Sequence, residues 1–476
     1  MELNKKNIED IYALSALQEG ILFHHLKDKD ARVYFSQLIL DLSGDINVPI
    51  FRNAWQFVVN SNEILRTVFR WDKINTPVQI LLKEVILNLK YIDLSSSSSI
   101  ESTIEKILID DKEKGFDLTK IPFHIILLKC STLVYKCIIS NHLILYDGWS
   151  NGILLNEFLT AYNELVKGRT VLPVNKIKFK EYIKYDLAIR KINKYHEFWS
   201  NYLKDVEQTG FLLKNTDEEF NDYRSYSVYL SSQKSKELRR ISQNYKTTIA
   251  NLFYCIWGIL LMKYTNANDV VFGTTISVRD VKLGKIDEIV GLLINTIPLR
   301  FKFQDSETIH EFIKRADNEI KKRQPYQHLP LQFILDNIHD KNKRHILDSI
   351  FIVENYPVSK KLRKSNENIT INAFSIEEAS NYKLAVSVLL NDLFKENDKI
   401  QIKFYYNAAQ IDPYYINNIS NHFLAILDCF IKDEYSVLSD INLFSENDYL
   451  VNKLNDTKVD YPKDDTSLNL FKQQVK

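Results

Sequence analysis

One short stretch holds the residue types that acid–base chemistry uses. Asn141-His142-Leu143-Ile144-Leu145-Tyr146-Asp147-Gly148 puts an imidazole at the end of an apolar, branched run and a carboxylate at a turn before a helix. A histidine and an aspartate so placed could form an acid/base or orienting pair, with Gly148 allowing a tight turn. The same residues also fit a buried, hydrogen-bonded histidine and an aspartate that caps the next helix, and the motif alone favours that plainer reading. The rest of the chain offers less. Cys130, Cys137, Cys255 and Cys429 lack metal-ligand spacing and sit among apolar neighbours, so free thiols in a reducing cytoplasm are expected, with no metal site.

The elements around that stretch follow from periodicity. Residues 124–129 and 133–140 are apolar, rich in branched side chains and separated by Ser131-Thr132, which predicts a hairpin of buried strands. After the turn at Asp147, Ile153, Leu154, Phe158 and Tyr162 recur at helical spacing, with Ser150 as a cap candidate. Upstream, residues 8–26 read as one helix, 34–42 as a strand, 49–66 as a helix, 67–71 as a strand and 100–114 as a helix, with the serine run 95–99 as a solvated loop. Periodicity lapses over 167–178, where a boundary between two lobes is expected. Beyond it, helices are expected over 186–203, 235–245, 248–264, 307–323 and 413–432. Strands are expected over 226–230, 270–277, 349–355 and 399–407.

Length and composition bound what such a chain can do. At 476 residues it has room for two to four compact units or two lobes of one enzyme. Hydrophobic residues are 45% and charged residues 26%, enough for a core and too apolar for disorder. Lys plus Arg number 62 against 61 Asp plus Glu, so the basic excess of a nucleic-acid or anionic-membrane binder is missing. The longest apolar run, 249–262, contains Asn251 and is shorter than the ~20 residues that span a bilayer.

The stretch around His142 resembles the core motif of nonribosomal peptide synthetase condensation domains, which reads His-His-x-x-x-Asp-Gly and is usually followed by Trp and Ser, here Trp149-Ser150. Further segments resemble that family's motifs in the same order: Leu14 to His24, Glu63 to Phe69, Phe116-Asp117-Leu118 before Pro122, Phe179 to Tyr182, Phe198 to Leu203, Phe272 to Ser277, Val290 to Arg300, Gln327 to Leu331, Ile350 to Pro357 and Ser380-Asn381-Tyr382. The resemblance implies an α/β fold of mixed sheets. Two chloramphenicol acetyltransferase-like lobes would form a V-shaped pseudo-dimer around a central tunnel. The lobes would span residues 1–170 and 179–450, with a linker at 171–178.

Its implied function is acyl transfer. Donor and acceptor peptidyl carrier proteins would bring substrates on phosphopantetheine arms, and the acceptor amine would attack the donor thioester, with no cofactor in the domain itself. Residues 451–476, with Asn455-Asp456-Thr457, Tyr461-Pro462 and Leu470-Phe471, resemble the connector into an adenylation domain. The first motif begins so near Met1 that the donor carrier is expected on a separate polypeptide.

Site residues carried over from the resemblance are His142, Asp147 and Gly148. Aligned without a gap, Leu143 stands where the family has its second histidine, the usual base; a shifted register would make Asn141 and His142 the pair. The matching flanks favour the gapless register. The second motif has Ser61 where the family usually has Arg, which leaves Arg66 as the expected partner of Asp147. Val278-Arg279-Asp280 stands for the usual Gly-Arg-Pro, and Lys383 for an Asp after Tyr382. Ser277 and Asn295 are expected along the tunnel, while His24, His25, His328, Trp149 and Tyr382 read as packing residues. Two functions compete. One is a condensing enzyme, impaired or altered at Leu143; the other is an inactive relative that docks carriers or recruits a tailoring enzyme. Heterocyclising and epimerising subtypes fit less well, because the former need paired aspartates and the latter a histidine at the Leu143 position.

Overall fold

The computed structural model describes residues 4–27, 34–173, 175–206, 222–304, 306–336, 346–354, 368–378, 382–390, 399–443, 456–458 and 466–475. The first half runs β1 (Ile8–Ala13), α1 (Ala16–Lys27), β2 (Phe35–Ser43), α2 (Val48–Ser61), β3 (Thr67–Arg70), β4 (Val78–Leu82), β5 (Leu89–Asp93), α3 (Ile100–Lys114), β6 (Phe123–Lys129), β7 (Val134–His142) and α4 (Gly148–Val166). The expected hairpin is β6–β7, paired antiparallel from Phe123↔Asn141 to Lys129↔Tyr135.

The opening segment differs from the single helix its periodicity suggested. Ile8–Ala13 pairs antiparallel with β4, with Ile11 opposite Ile80 and Ala13 opposite Val78. The helix begins only where it can be capped. Ser15 Oγ accepts from Gln18 N at 3.2 Å and Gln18 Oε1 accepts from Ser15 N at 2.9 Å, a reciprocal capping box that fixes the start of α1.

The second half contains α5 (Phe179–Ile189), α6 (Asn193–Tyr202), β8 (Tyr223–Tyr229), α7 (Ser232–Asn244), α8 (Ile249–Thr265), β9 (Asp269–Ser277), β10 (Ile294–Lys302), α9 (Ile309–Arg323), α10 (Leu331–Asp336), β11 (Ser349–Glu354), β12 (Thr370–Glu378), β13 (Leu384–Leu389), β14 (Gln401–Asn407), α11 (Pro413–Lys432) and α12 (Ser467–Gln474). The helix expected over 186–203 is broken between Ile189 and Asn193. There Asp186 takes Arg190 Nε at 3.0 Å and also accepts from Ala16 N at 3.2 Å, so α5 serves the start of α1 as well as its own end.

Two mixed sheets organise the lobes. One has the order β10-β9-β11-β13-β14-β8, with β11 parallel to both β9 and β13. The other has the order β12-β2-β7-β6-β5, and β12 comes from the second half of the chain. It pairs antiparallel with β2 from Thr370↔Ser43 to Glu378↔Ser36, so a cut at 171–178 does not separate the two sheets. A third, small sheet holds β1, β4 and β3.

Each lobe has its own core. In the first, α2 and α4 cover the sheet, with Trp55 stacked on Phe158 at 4.7 Å between ring centroids. In the second, α8 is buried on nearly every side because it lies between the sheet and the outer helices α9 and α11. No helix among the described residues is long and apolar enough to cross a membrane. The motif residues Asn355-Tyr356-Pro357, Ser380-Asn381, Asn455 and Tyr461-Pro462 lie outside the described residues.

Gly258 marks how tightly α8 is packed, since a Cβ there would lie 2.6 Å from Phe301 Cδ2. Gly258→Val should therefore cost about 1–3 kcal/mol of stability through overpacking, read as a lower midpoint in urea unfolding.

Candidate functional site

The site begins with a loop held from three sides. β7 ends at His142, and Leu143 N continues toward β2 by donating to Tyr34 O at 2.8 Å. Gln18 of α1 donates from Nε2 to Ile144 O at 3.1 Å, and Asp147 N donates to Gly291 O at 3.3 Å. Ile144, Leu145 and Tyr146 are buried, so the loop is packed as core.

Asp147 closes the loop and opens α4. Its Oδ1 accepts from Ser150 N at 3.2 Å and from Ser150 Oγ at 3.0 Å, the N-cap arrangement expected of an aspartate at this turn. Its other contacts come from the second half of the chain. Arg279 Nη1 donates to Oδ2 at 2.7 Å, Arg279 Nη2 to Oδ1 at 3.0 Å, and Leu293 N to Oδ2 at 2.9 Å. This is a bidentate ion pair whose side chains are only 5% and 2% exposed. Arg279 also lies over the Trp149 ring at 5.5 Å. Gly291 is required beside it, because a Cβ there would meet the Phe179 ring at 2.6 Å.

The expected Arg66–Asp147 pair is thus corrected. Arg66 Nη1 lies 3.0 Å from Glu9 Oε2 and also donates to the carbonyls of Leu82 and Lys83. The small sheet engages its guanidinium through Nη1, and Arg279 takes the place at Asp147. The signal was present in the sequence: Arg279 is the arginine kept within the altered Gly-Arg-Pro tripeptide.

A cavity of about 1040 Å³ lies beside this junction and is lined from both halves of the chain. Leu143, Asp147 and Gly148 line it from one side, and Ser277, Asn295 and Arg279 from the other. His142 does not. It is 2% exposed, its ring 5.0 Å from that of His25, and its Nδ1 accepts from Ile144 N at 3.2 Å. That bond assigns the proton to Nε2, which is buried without a hydrogen-bond partner among the described residues. Burial first, and the nearby His25 second, push the His142 imidazole down to about 3.

The remaining candidates divide. Asn295 gives its amide hydrogens to the carbonyls of Gln327 at 2.9 Å and Leu329 at 2.8 Å, so its polar capacity is largely spent on structure. Trp149, Tyr382 and His24, expected as packing residues, line the cavity. His328 stands 3.3 Å from Asp280 and outside the cavity lining, in keeping with its structural reading. Sequence reasoning passed over Glu354 and Glu378, which also face the cavity. Among the described residues no group of three His, Cys, Asp or Glu side chains is placed to hold a metal ion.

Residues 8–450 match the family described as "Condensation domain". The chain belongs to the condensation-domain family. It is 31% identical over 490 residues to gramicidin S synthase 2 of Brevibacillus brevis, covering 99% of this chain and 11% of that protein. Against bacitracin synthase 3 of Bacillus licheniformis identity is 29%, covering 99% of this chain and 7% of the relative. The chain therefore spans about a tenth of the length of these curated relatives. The starter condensation domain of rhizomide synthetase superposes with a TM-score of 0.77 at 17% identity, covering 91% of this chain and 98% of that one. The mixed-sheet, two-lobed architecture is thus the condensation-domain fold.

Two consequences can be measured on this condensation domain. Asp147→Ala and Arg279→Ala should each lose about 3–5 kcal/mol, since each leaves a buried charge alone, and the double variant should lose much less than their sum. Arg66→Ala combined with Asp147→Ala should be additive within about 0.5 kcal/mol, read in the same denaturation series.

The second consequence concerns acid. A histidine that titrates at 6.5 when unfolded and about 3 when folded leaves the unfolded state with more bound protons between those values. Its contribution to stability is complete above 6.5 and is lost as pH falls toward 3. His142→Leu should flatten that loss, seen by comparing urea midpoints of both proteins across this pH range.

Proposed function

We propose that this condensation domain joins a carrier-bound donor acyl or peptidyl thioester to the amine of a carrier-bound acceptor. The observation that carries the reading is the cavity between the halves, walled by Leu143, Asp147 and Gly148 on one side and by Ser277 and Asn295 on the other. The acceptor nitrogen attacks the donor carbonyl carbon, the carbon–sulfur bond breaks, and the donor arm leaves as a thiol. The partners are donor and acceptor peptidyl carrier proteins and a following adenylation domain. The pantetheine arms belong to the carriers, and the domain needs no cofactor of its own. Four free cysteines fit a reducing cytoplasm as the setting.

Leu143 alters how the work is divided. A leucine neither accepts a proton nor hydrogen-bonds an amine. A base is worth roughly a hundred- to ten-thousand-fold, whereas holding two reactants in register is worth about 7–11 kcal/mol. Orientation is the larger effect, and an amine of pKa about 8 is partly neutral near pH 7. Coupling therefore survives the loss of imidazole at a reduced rate. Leu143 also favours a second reading, a domain that docks carriers without coupling them.

Single-turnover coupling between loaded donor and acceptor carriers separates the two. Leu143→His should raise the rate by roughly a hundredfold. His142→Ala should change stability more than rate, because that ring does not reach the cavity. Abolition of coupling by His142→Ala in a folded protein would assign the base to His142 instead. No coupling by parent or Leu143→His would favour docking.

A further inference from the structure

The cavity holds a carboxylate that the foregoing chemistry leaves unused. Glu378 is the last residue of β12, opposite Ser36 on β2, which in turn lies opposite Asn141 on β7. Residues directly opposite one another across antiparallel strands share a face, and Ser36 Oγ accordingly donates to Glu378 Oε1 at 2.9 Å. Two strand spacings of about 4.8 Å put the Glu378 backbone roughly 10 Å from Asn141, at the end of the sheet from which Leu143 emerges. Leu143 and Glu378 both line the cavity.

The groups around Glu378 include one cation within electrostatic reach, Lys403, which is engaged elsewhere. Lys403 of β14 donates to Glu377 Oε1 at 3.2 Å and to Ile376 O at 3.3 Å. Glu354 of β11 takes Ser387 Oγ at 2.7 Å and adds a second negative charge to the same wall, and Tyr405 of β14 lines that wall too. Among the described residues no Lys, Arg or His forms an ion pair with Glu378. Tyr146 stands within electrostatic reach, and its hydroxyl is buried with no hydrogen-bond partner among the described residues. Burial, reinforced by Glu354 and Glu377 and opposed by Ser36 and Lys403, pushes the Glu378 carboxyl up to about 7.

We propose that Glu378 anchors the ammonium group of the acceptor aminoacyl thioester and takes its proton, a task the side chain at Leu143 cannot perform. One proton passes from the ammonium nitrogen to a carboxylate oxygen, leaving a neutral amine with its lone pair free and a carboxylic acid at Glu378. No other bond changes in that step. The assignment rests on the condensation reading above. It deepens that reading by naming the group in this chain that recognises the amine.

Calorimetric titration of the whole chain tests it with two pantetheine probes in which an amide replaces the thioester. One is alanyl; the other is propionyl, the same probe without the amino group. The alanyl probe should bind the parent about tenfold more tightly at neutral pH, the value of one charge-assisted hydrogen bond. Glu378→Gln and Glu378→Ala should each bring alanyl affinity down to the propionyl value and leave propionyl binding unchanged. In the parent, the alanyl advantage should fade as pH falls through about 7 and Glu378 is protonated, and as pH rises through about 8 and the amine loses its charge.

Retention of the advantage in both variants, or its absence from the parent, would overturn the assignment and leave the condensation reading standing. Loss of propionyl binding in both variants would also overturn it, by giving Glu378 to the fold instead. If neither probe binds the parent, the condensation reading fails and the anchor falls with it.

Discussion

A buried ion pair between Asp147 and Arg279 is the constraint from which the site is built. Two charged groups withdrawn from water are costly unless they are paired and hydrogen-bonded. Asp147 meets that demand with Arg279, Leu293 N and both donors of Ser150. Two of those donors, from Ser150, begin α4, and three, from Arg279 and Leu293, come from the far half of the chain. The pair is therefore a clamp: it fixes where α4 starts, where the 279–293 segment lies and where the loop from His142 runs. Gly291 belongs to the same constraint, because its carbonyl receives Asp147 N while its missing side chain leaves room for Phe179.

A second tie lies at the other side of the same sheet. β12 joins β2 along its length, so the first lobe's sheet is completed by residues that follow most of the second lobe in sequence. Separating the lobes would break that ladder as well as the clamp. The cavity between them is consequently lined by fixed elements on both flanks. Such a wall suits a reaction that depends on orienting two large substrates, since orientation by a loose wall would be lost to motion.

Much of this was legible in the residues, for identifiable reasons. β6, β7 and α4 were plain because a buried hairpin and a half-buried helix leave strong periodic signals. Asp147 was legible as a turn-and-cap residue because capping depends on local chemistry. Leu143 lines the cavity and His142 is buried outside its lining. What sequence could not supply was contact at long range. Arg66 looked like the partner of Asp147 because it was the arginine near the second motif, whereas Arg279 arrives through folding. Residues 8–13 carry a pattern compatible with either element, and their strand is decided by the distant Val78–Leu82. Glu378 sits in an ordinary alternating strand, and its setting becomes unusual only once β12 has crossed to the other lobe.

The arrangement of His142 and Leu143 carries a physical argument about the reaction. An imidazole pushed down to about 3 is neutral at working pH and a very weak base. Behind Leu143, with Nδ1 engaged by Ile144 and Nε2 enclosed, it is also out of reach of a substrate. Moving it into the cavity would require breaking a loop whose backbone is tied to Tyr34, Gln18 and Gly291. Proton removal in this domain must therefore come from water, from the amine's own equilibrium or from another wall of the cavity. Of the acidic groups on that wall, the carboxylate on β12 combines access to the cavity, the absence of an ion-pair partner among the described residues and a place at the end of the sheet where Leu143 emerges. In the proposed reaction, amine activation thus moves from the β7 loop to the strand that completes its sheet.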